Sequence, residues 1–357
     1  QDTAAVAVAP VVTIGSRVGE RTSTKSVVSG DVWTAKSIES SGLAETWEIL
    51  QRLIPTVSSA HLPRADDGTR PVMLRGLSPG QVLVLVNGKR LHNPAVIFGS
   101  AVLTGTAGND VGSIPTIAIE RIEILRDGAA AQYGSDAIAG VINIVLKTGT
   151  ESQGRLSLGQ VRSSEGGRTF ADGNIAGAAM TYGVRIKGSG YATFSGELNS
   201  RGATNRAYPD QRDQYSMGDP RNSDPPVVRN EEGDGESHTA GFSVNAAIPI
   251  HNNSQIYFFG GATHRRMESA SLFRRPIDAT VIRAIHPDGF LPIIENGIDD
   301  VFATAGMRRS VRQWRWDISS TIGGNRFQYD LHDSNNASMG LQSPTDFYIG
   351  EQRALQW

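Results

Sequence analysis

The amino-acid sequence predicts a mixed α/β domain followed by an antiparallel transmembrane β-barrel. Three observations carry that reading. Before Lys147, short and wholly apolar runs such as Val82–Val86 lie between tight glycine turns, the pattern of strands buried on both faces. From Thr150 onward the period changes to two, with one face of each segment apolar and the other small or polar. Connections between those later segments alternate between short turns and long polar loops, as they do in membrane-spanning barrels.

Composition agrees. The 357-residue chain carries a formal net charge of −2 from 34 basic and 36 acidic residues, so no basic excess points to nucleic acid. It contains no cysteine, which excludes a disulfide framework, a thiolate zinc site and a thiol nucleophile. No apolar run reaches the ~18 residues of a membrane-spanning helix, a test that alternating barrel strands do not register on. Residues 1–5 have neither a basic n-region nor an apolar h-region, so any signal peptide is expected to have been removed.

Residues 1–13 are small and apolar without a clear period and are assigned to a tail, residues 14–147 to the first domain and residues 150–357 to the barrel. Leu43, Trp47, Leu50 and Leu53 recur at helical spacing ahead of Pro55, which predicts a short amphipathic helix. Two buried strands, near residues 72–76 and 82–86, are joined by Leu77-Ser78-Pro79-Gly80-Gln81, and Asn87-Gly88 signals a tight hairpin turn. The glycine-rich, polar stretch 92–112 is predicted to project as a loop. Residues 117–126 return as a strand, 129–134 as a helical turn and 141–145 as the domain's last strand.

In the second part the alternation is clearest over residues 238–250. Ala240, Phe242, Val244, Ala246, Ile248 and Ile250 share one face, opposite Thr239, Gly241, Ser243, Asn245 and Ala247. Residues 191–200 repeat the pattern. Trp314, Trp316, Ile318 and Ile322 alternate with Arg315, Asp317, Ser319 and Thr321, and a phase slip with a bulge is expected at Gly323-Gly324. Segments near 154–163, 168–182, 254–266 and 300–311 bring the expected strands to seven, with an eighth starting near Tyr348. A soluble β-sandwich would alternate in the same way. The long loops 201–237 and 267–299, with Trp314, Trp316, Tyr257 and Phe258 near strand starts, favour a barrel with aromatic girdles.

Gly76-Leu77-Ser78-Pro79-Gly80 matches the spacing of a serine nucleophile elbow, but an elbow needs a helix leaving it, and here the strand Val82–Val86 follows. A soluble hydrolase using Ser78 and a passive porin-like barrel are the rival functions. The seven histidines are scattered without an HExxH pair, and the acidic loop Glu231, Glu232, Asp234 and Glu236 lacks calcium-loop spacing, so no metal or cofactor is expected. Arg75 and Arg126 end apolar strands, and Glu120 and Glu123 flank one. These four are expected to pair across the domain boundary as a latch, because a partly buried guanidinium needs a planar acceptor.

Residues 72–90, then Ile114-Pro115 and Ala118-Ile119-Glu120-Arg121-Ile122-Glu123-Ile124-Leu125-Arg126-Asp127-Gly128, then Gln132-Tyr133-Gly134 through Gly140-Val141-Ile142-Asn143-Ile144, closely resemble the plug domain of TonB-dependent outer-membrane transporters. His286-Pro287-Asp288-Gly289-Phe290-Leu291-Pro292 resembles the early barrel of the same family. The resemblance implies a plug inside a barrel of about 22 strands. It also implies active import of a scarce, bulky solute such as a siderophore, cobalamin or a saccharide across the bacterial outer membrane. The implied partners are TonB with its inner-membrane energising complex, the solute and outer-membrane lipid; an enzyme is not implied. The TonB box is expected at Ala9, Pro10, Val11, Val12 and Thr13, just ahead of the plug, with residues 2–6 as the other possibility. By loop position, His92, Asn93, Phe98, Asn109 and Asp110 are expected at the solute-binding apex. The N-terminus has no room for a signalling domain, which favours a plain transporter. Seven or eight strands are too few to close around such a domain, so the chain is expected to be the N-terminal part of a longer protein.

Overall fold

A computed structural model describes residues 11–12, 21–22, 30–59, 67–97, 103, 105–126, 130–186, 188–250 and 253–357. In the first domain these form β1 (Val11–Val12), β2 (Arg21–Thr22), β3 (Gly30–Thr34), α1 (Ala35–Ser40), α2 (Thr46–Leu53), β4 (Val57–Ser59) and β5 (Val72–Leu74). They continue with β6 (Val82–Val86), β7 (Lys89–Arg90), β8 (Ile119–Leu125), α3 (Ala130–Tyr133) and β9 (Gly140–Leu146). The second part consists of β10 (Gln153–Glu165), β11 (Arg168–Arg185), β12 (Tyr191–Arg201), β13 (Glu236–Ile250), β14 (Ser254–Ala270), β15 (Ile293–Val311), β16 (Trp314–His332) and β17 (Phe347–Gln356).

The first domain is built on a five-stranded sheet in the order β3-β8-β9-β6-β7, with β6 and β9 parallel. Every residue of β6 is buried, which accounts for its unbroken apolar run, since a strand covered on both faces has no polar side. The Asn87-Gly88 turn between β6 and β7 has positive φ at both residues, 48° and 79°, the twist that suits a two-residue hairpin. Helix α2 buries Trp47, Ile49 and Leu50 and stops before Pro55, whose ring disfavours helix in the residue ahead of it. Ser78 precedes a single 3-10 turn, Pro79–Gln81, that runs straight into β6, so the geometry of a nucleophile elbow is not formed. In the stretch predicted to project, His92, Leu103, Asn109, Asp110 and Val111 are instead buried, while Asn93 and Ile97 are exposed.

The second part is one eight-stranded antiparallel sheet in strict chain order from β10 to β17, and these two outermost strands are not paired with each other. Its convergent signals come from alternation. Residues facing the first domain include Glu197, Asn245, Thr263, Asp300 and Asn325, all buried, whereas Leu156, Leu198, Phe242, Val301, Ile318 and Ile322 on the opposite face are exposed. Gly323 and Gly324 lie in register with Phe302 and Val301 and form no bulge; the shift in β16 falls at Tyr329/Asp330, against β17. The inward row runs on through Asn325 and Phe327, while the outward row turns from Ile322 to Arg326 and Gln328. The slip read from the sequence is therefore the upper limit of the apolar band. Trp314, Trp316 and Phe258 are exposed, but Tyr257 faces inward and is buried against the first domain, so it is not part of a girdle.

Long connections gather at one end of the sheet and tie to one another. The Tyr215 hydroxyl donates to Asp288 Oδ1 at 2.8 Å, Ile277 N to Gln214 O at 3.0 Å, and Asn335 Nδ2 to Thr280 O at 2.7 Å. At the other end Lys147 is pinned where the first domain enters the sheet. Its N–H donates to Ala118 O at 2.8 Å, and its carbonyl accepts from Asn245 Nδ2 at 3.0 Å.

Candidate functional site: the seam between plug and barrel

Side chains on the inward face of the sheet meet the first domain along a seam that is apolar in places and strongly polar in others. Tyr257, Phe259 and Phe302 join the domain's hydrophobic core. Between these patches lie polar pairs, of which Asp110–Arg265 and His92–Asp300 are taken almost wholly out of water, where a charge persists only if it is matched and hydrogen-bonded.

Nearest the short turns, Lys89 Nζ on β7 contacts Asp317 Oδ1 on β16 at 3.1 Å, and the same carboxylate accepts from Tyr257 at 2.7 Å and Arg308 at 3.0 Å. Beside it, the turn residue Asn87 donates to Asn245 Oδ1 at 3.3 Å and accepts from Leu146 N at 2.9 Å. The hairpin that the tight turn creates is thus what carries Lys89 to the wall.

At mid-height, His92 Nε2 lies 3.1 Å from Asp300 Oδ2, which also accepts from Asn325 Nδ2 at 3.2 Å. Asn325 Oδ1 in turn accepts from Ala95 N at 2.8 Å. Asn109 holds the His92 segment in place, donating to Leu91 O and His92 O at 3.0 and 2.9 Å. Gly323 lies directly under the His92 ring, so that a Cβ there would overlap it; this close approach is why β16 has a glycine at that point. Asp110 Oδ2 accepts from Arg265 Nη1 at 2.9 Å, and the same nitrogen donates to Gly68 O at 2.6 Å. Glu197 accepts from Ile117 N at 3.2 Å, and Thr263 donates to Ser113 O at 2.8 Å.

Toward the long loops, Arg201 of β12 serves three carboxylates: Glu45 at 3.1 Å, Asp234 at 3.3 Å, and Glu48. The guanidinium groups of Arg201 and Arg70 both stack on Trp47, 5.5 and 5.1 Å from its centroid. Burial pushes the Glu48 carboxyl up to about 7 against the pull of Arg201, and the neighbouring charges of Glu45 and Asp234 push the same way. Arg201, with the more weakly acting Arg70, does not offset burial and three carboxylates together, so the cluster favours keeping a proton. A cavity of about 30 Å³ among Trp47, Arg70, Glu197 and Arg265 gives this part of the seam room for water.

The expected site residues are redistributed. Arg75 donates to Arg126 O at 2.9 Å, Arg126 pairs with Asp31, and Glu123 lies between Arg121 at 2.8 Å and Asn143 at 3.1 Å. Those contacts are inside the plug, and Glu120 is exposed; the pairs that cross to the barrel belong to other residues. His92, Asn109 and Asp110, expected at the solute-facing apex, are buried in the seam. Asn93 is exposed and accepts from Asn109 at 3.2 Å. Phe98 lies outside the described residues, as do Ala9, Pro10 and Thr13 of the expected TonB box and the alternative at residues 2–6. Val11 and Val12 are extended and pair with Thr22 and Arg21. The seam residues Arg201, Arg265, Asp300 and Asn325 were not singled out from the sequence. Their signal was a charge or amide in the otherwise small-residue row of an alternating strand.

The family model described as the TonB-dependent receptor plug domain matches residues 22–141. A vitamin B12 transporter of Photobacterium profundum is 34% identical over 171 residues, covering 46% of this chain and 25% of that protein. The ferric enterobactin receptor of Pseudomonas aeruginosa is 38% identical over 91 residues, covering 25% of this chain and 12% of that receptor. A crystal structure of a mutant ferric enterobactin receptor from Pseudomonas aeruginosa superposes with a TM-score of 0.53 at 14% identity, over 87% of this chain and 46% of that one, which bears on the fold alone. The matches therefore span a quarter or less of these curated relatives and about half of the solved receptor chain. The plug match makes residues 22–141 a TonB-dependent receptor plug domain, and with the relatives and the shared fold of plug and partial antiparallel barrel it supports a TonB-dependent receptor.

Proposed function

We propose that this chain supplies the gate and part of the frame of an active importer that carries a scarce, bulky solute across the bacterial outer membrane. The solute is a siderophore, cobalamin, a saccharide or a compound of similar bulk. TonB, pulling on a box at residues 9–13, provides the energy. The observation that supports this reading is the seam itself. A domain meant only to fill a barrel is best held by apolar packing, whereas this one is held in good part by discrete buried pairs such as Asp110–Arg265 and His92–Asp300, with a small cavity beside Arg265. Contacts of that kind separate one at a time and re-form. The extended backbone of Val11–Val12 suits recognition by strand addition. Deleting residues 9–13 from the full-length protein is expected to abolish energised uptake in cells while leaving solute binding to the purified receptor intact; uptake that persists rejects the box assignment.

A further inference from the structure

The hairpin that joins β15 to β16 at the short-turn end places Arg309 opposite Trp316 and Val311 opposite Trp314, so these four residues share the outward face of the sheet. Both tryptophans are more than half exposed, at 59% and 65%. From their level up to Phe242, Val301 and Gly324, the outward rows of β11 to β16 hold no aspartate or glutamate among the described residues, and Arg309 is their only charge. Trp314 and Gly324 are ten residues apart on β16, about 34 Å along the strand and about 26 Å in height at a tilt of about 40°. That is the depth of a barrel's apolar band, so the hairpin stands where hydrocarbon gives way to headgroups. At the other limit of the band charges come in pairs, as in His264–Asp299 and Arg326–Glu351. Arg312, in the turn itself, has a φ of 56°, a conformation that two-residue hairpins ordinarily fill with asparagine or glycine. The turn alone therefore does not account for an arginine there. Among the described residues neither Arg309 nor Arg312 has a carboxylate partner, whereas Arg308, on the inward face, is taken up by Asp317.

We propose that the outward face of this hairpin is a docking surface for the headgroup of an anionic phospholipid. Arg309 and Arg312 receive the phosphate, whose oxygens match the paired N–H bonds of a guanidinium. Trp314 and Trp316 take the level of the glycerol esters, with the rings against acyl chains and the indole N–H groups toward the polar layer. Although Arg309 lies level with Trp316, its long apolar stem can run along the surface and carry the charge down toward the turn. Two cations without a carboxylate between them select for net negative charge, as basic residues at a membrane surface do. The assignment rests on the outward face meeting lipid and not on transport: a receptor that imports nothing can still hold the lipid here.

The test is reconstitution of the full-length protein into vesicles of phosphatidylglycerol and phosphatidylcholine in equal parts, then extraction into mild detergent and native mass spectrometry of the lipid retained. Phosphatidylglycerol is expected to be retained over phosphatidylcholine, with the preference falling about fivefold for each arginine replaced in Arg309→Gln and Arg312→Gln. Gln313→Arg, which adds a cation beside Arg312, is expected to raise the preference, a gain that misfolding cannot imitate. Incorporation into vesicles without preference for either lipid, or a preference unaltered in all three variants, overturns the site. Failure to incorporate into vesicles at all overturns the lipid-facing assignment of the sheet, and the docking surface with it.

Discussion

Asp110 of the plug and Arg265 of β14 form an ion pair at 2.9 Å with only 3% and 6% of their side chains exposed. Removing one partner leaves the other charged and buried, which costs about 3–5 kcal/mol, whereas removing both costs less. Asp110→Ala in the full-length receptor is therefore expected to accelerate hydrogen exchange at Gly112, whose N–H the carboxylate also holds at 2.8 Å. Adding Arg265→Met is expected to recover part of the protection. Equal exchange in the single and double variants contradicts the pairing.

His92 and Gly323 make a steric counterpart to that electrostatic pair. Because a Cβ at position 323 overlaps the imidazole, Gly323→Val is expected to displace the segment around His92 while leaving β16 paired. Limited proteolysis of the full-length protein checks this: new cleavage is expected between residues 92 and 112. A digestion pattern like that of the wild type would show that the ring is free to move aside.

Glu48 makes the seam sensitive to pH. Its carboxyl is raised from 4.5 to about 7 in the folded state, so between those values the folded protein holds a proton that the unfolded chain has released. Stability then declines as pH climbs from 4.5 to about 7 and levels off above it. Exchange at the α2 amides is expected to show this decline once corrected for intrinsic pH dependence, and Glu48→Gln is expected to flatten it. A slope that survives in the variant assigns the effect to another group.

The outward face carries its own prediction. Ile322 sits between Trp316 toward the short turns and Arg326 toward the long loops, and it is 47% exposed. On a soluble surface Ile322→Arg would change stability little. Facing lipid near the bilayer centre it costs about 2–4 kcal/mol. Folding titrations of the full-length protein in lipid vesicles and in detergent micelles distinguish the two. A negligible cost in vesicles argues against this face meeting hydrocarbon.

Strands were the most legible part of the chain. The run predicted at residues 238–250 is β13 from Glu236 to Ile250, because alternation reports directly which face is covered. What covers it is a separate matter. A row containing Thr263, Arg265 and Asp300 reads as polar whether it meets water or another domain, and only the packing of the plug against the wall brings Asp110 to Arg265. The same blindness placed His92 and Asp110 at the apex when they lie in the seam. His92 and Asp110 are polar residues in a glycine-rich stretch, which locally resembles an exposed loop, and nothing nearby in sequence announces the wall that buries them. Arg75 and Arg126 ended strands as expected but found acceptors close by, at Arg126 O and Asp31. The bulge expected at Gly323-Gly324 failed for a related reason: a change in side-chain polarity marks the edge of the apolar band as readily as a change in backbone phase.

The order of strands in the plug also determines how it would answer to mechanical load. Strand β3 lies at one edge of the five-stranded sheet, paired only to β8, and it is the strand nearest the N-terminal tail in that sheet. At the opposite end of the domain Lys147 is tied to Ala118 and to the wall at Asn245. Tension applied at the tail therefore meets the short β1–β2 pairing and then, in the five-stranded sheet, a single row of backbone bonds, with the far end moored. Loaded from its end, such a row is expected to part bond by bond and not all at once, leaving the rest of the sheet attached to the wall as a surface for β3 to re-pair.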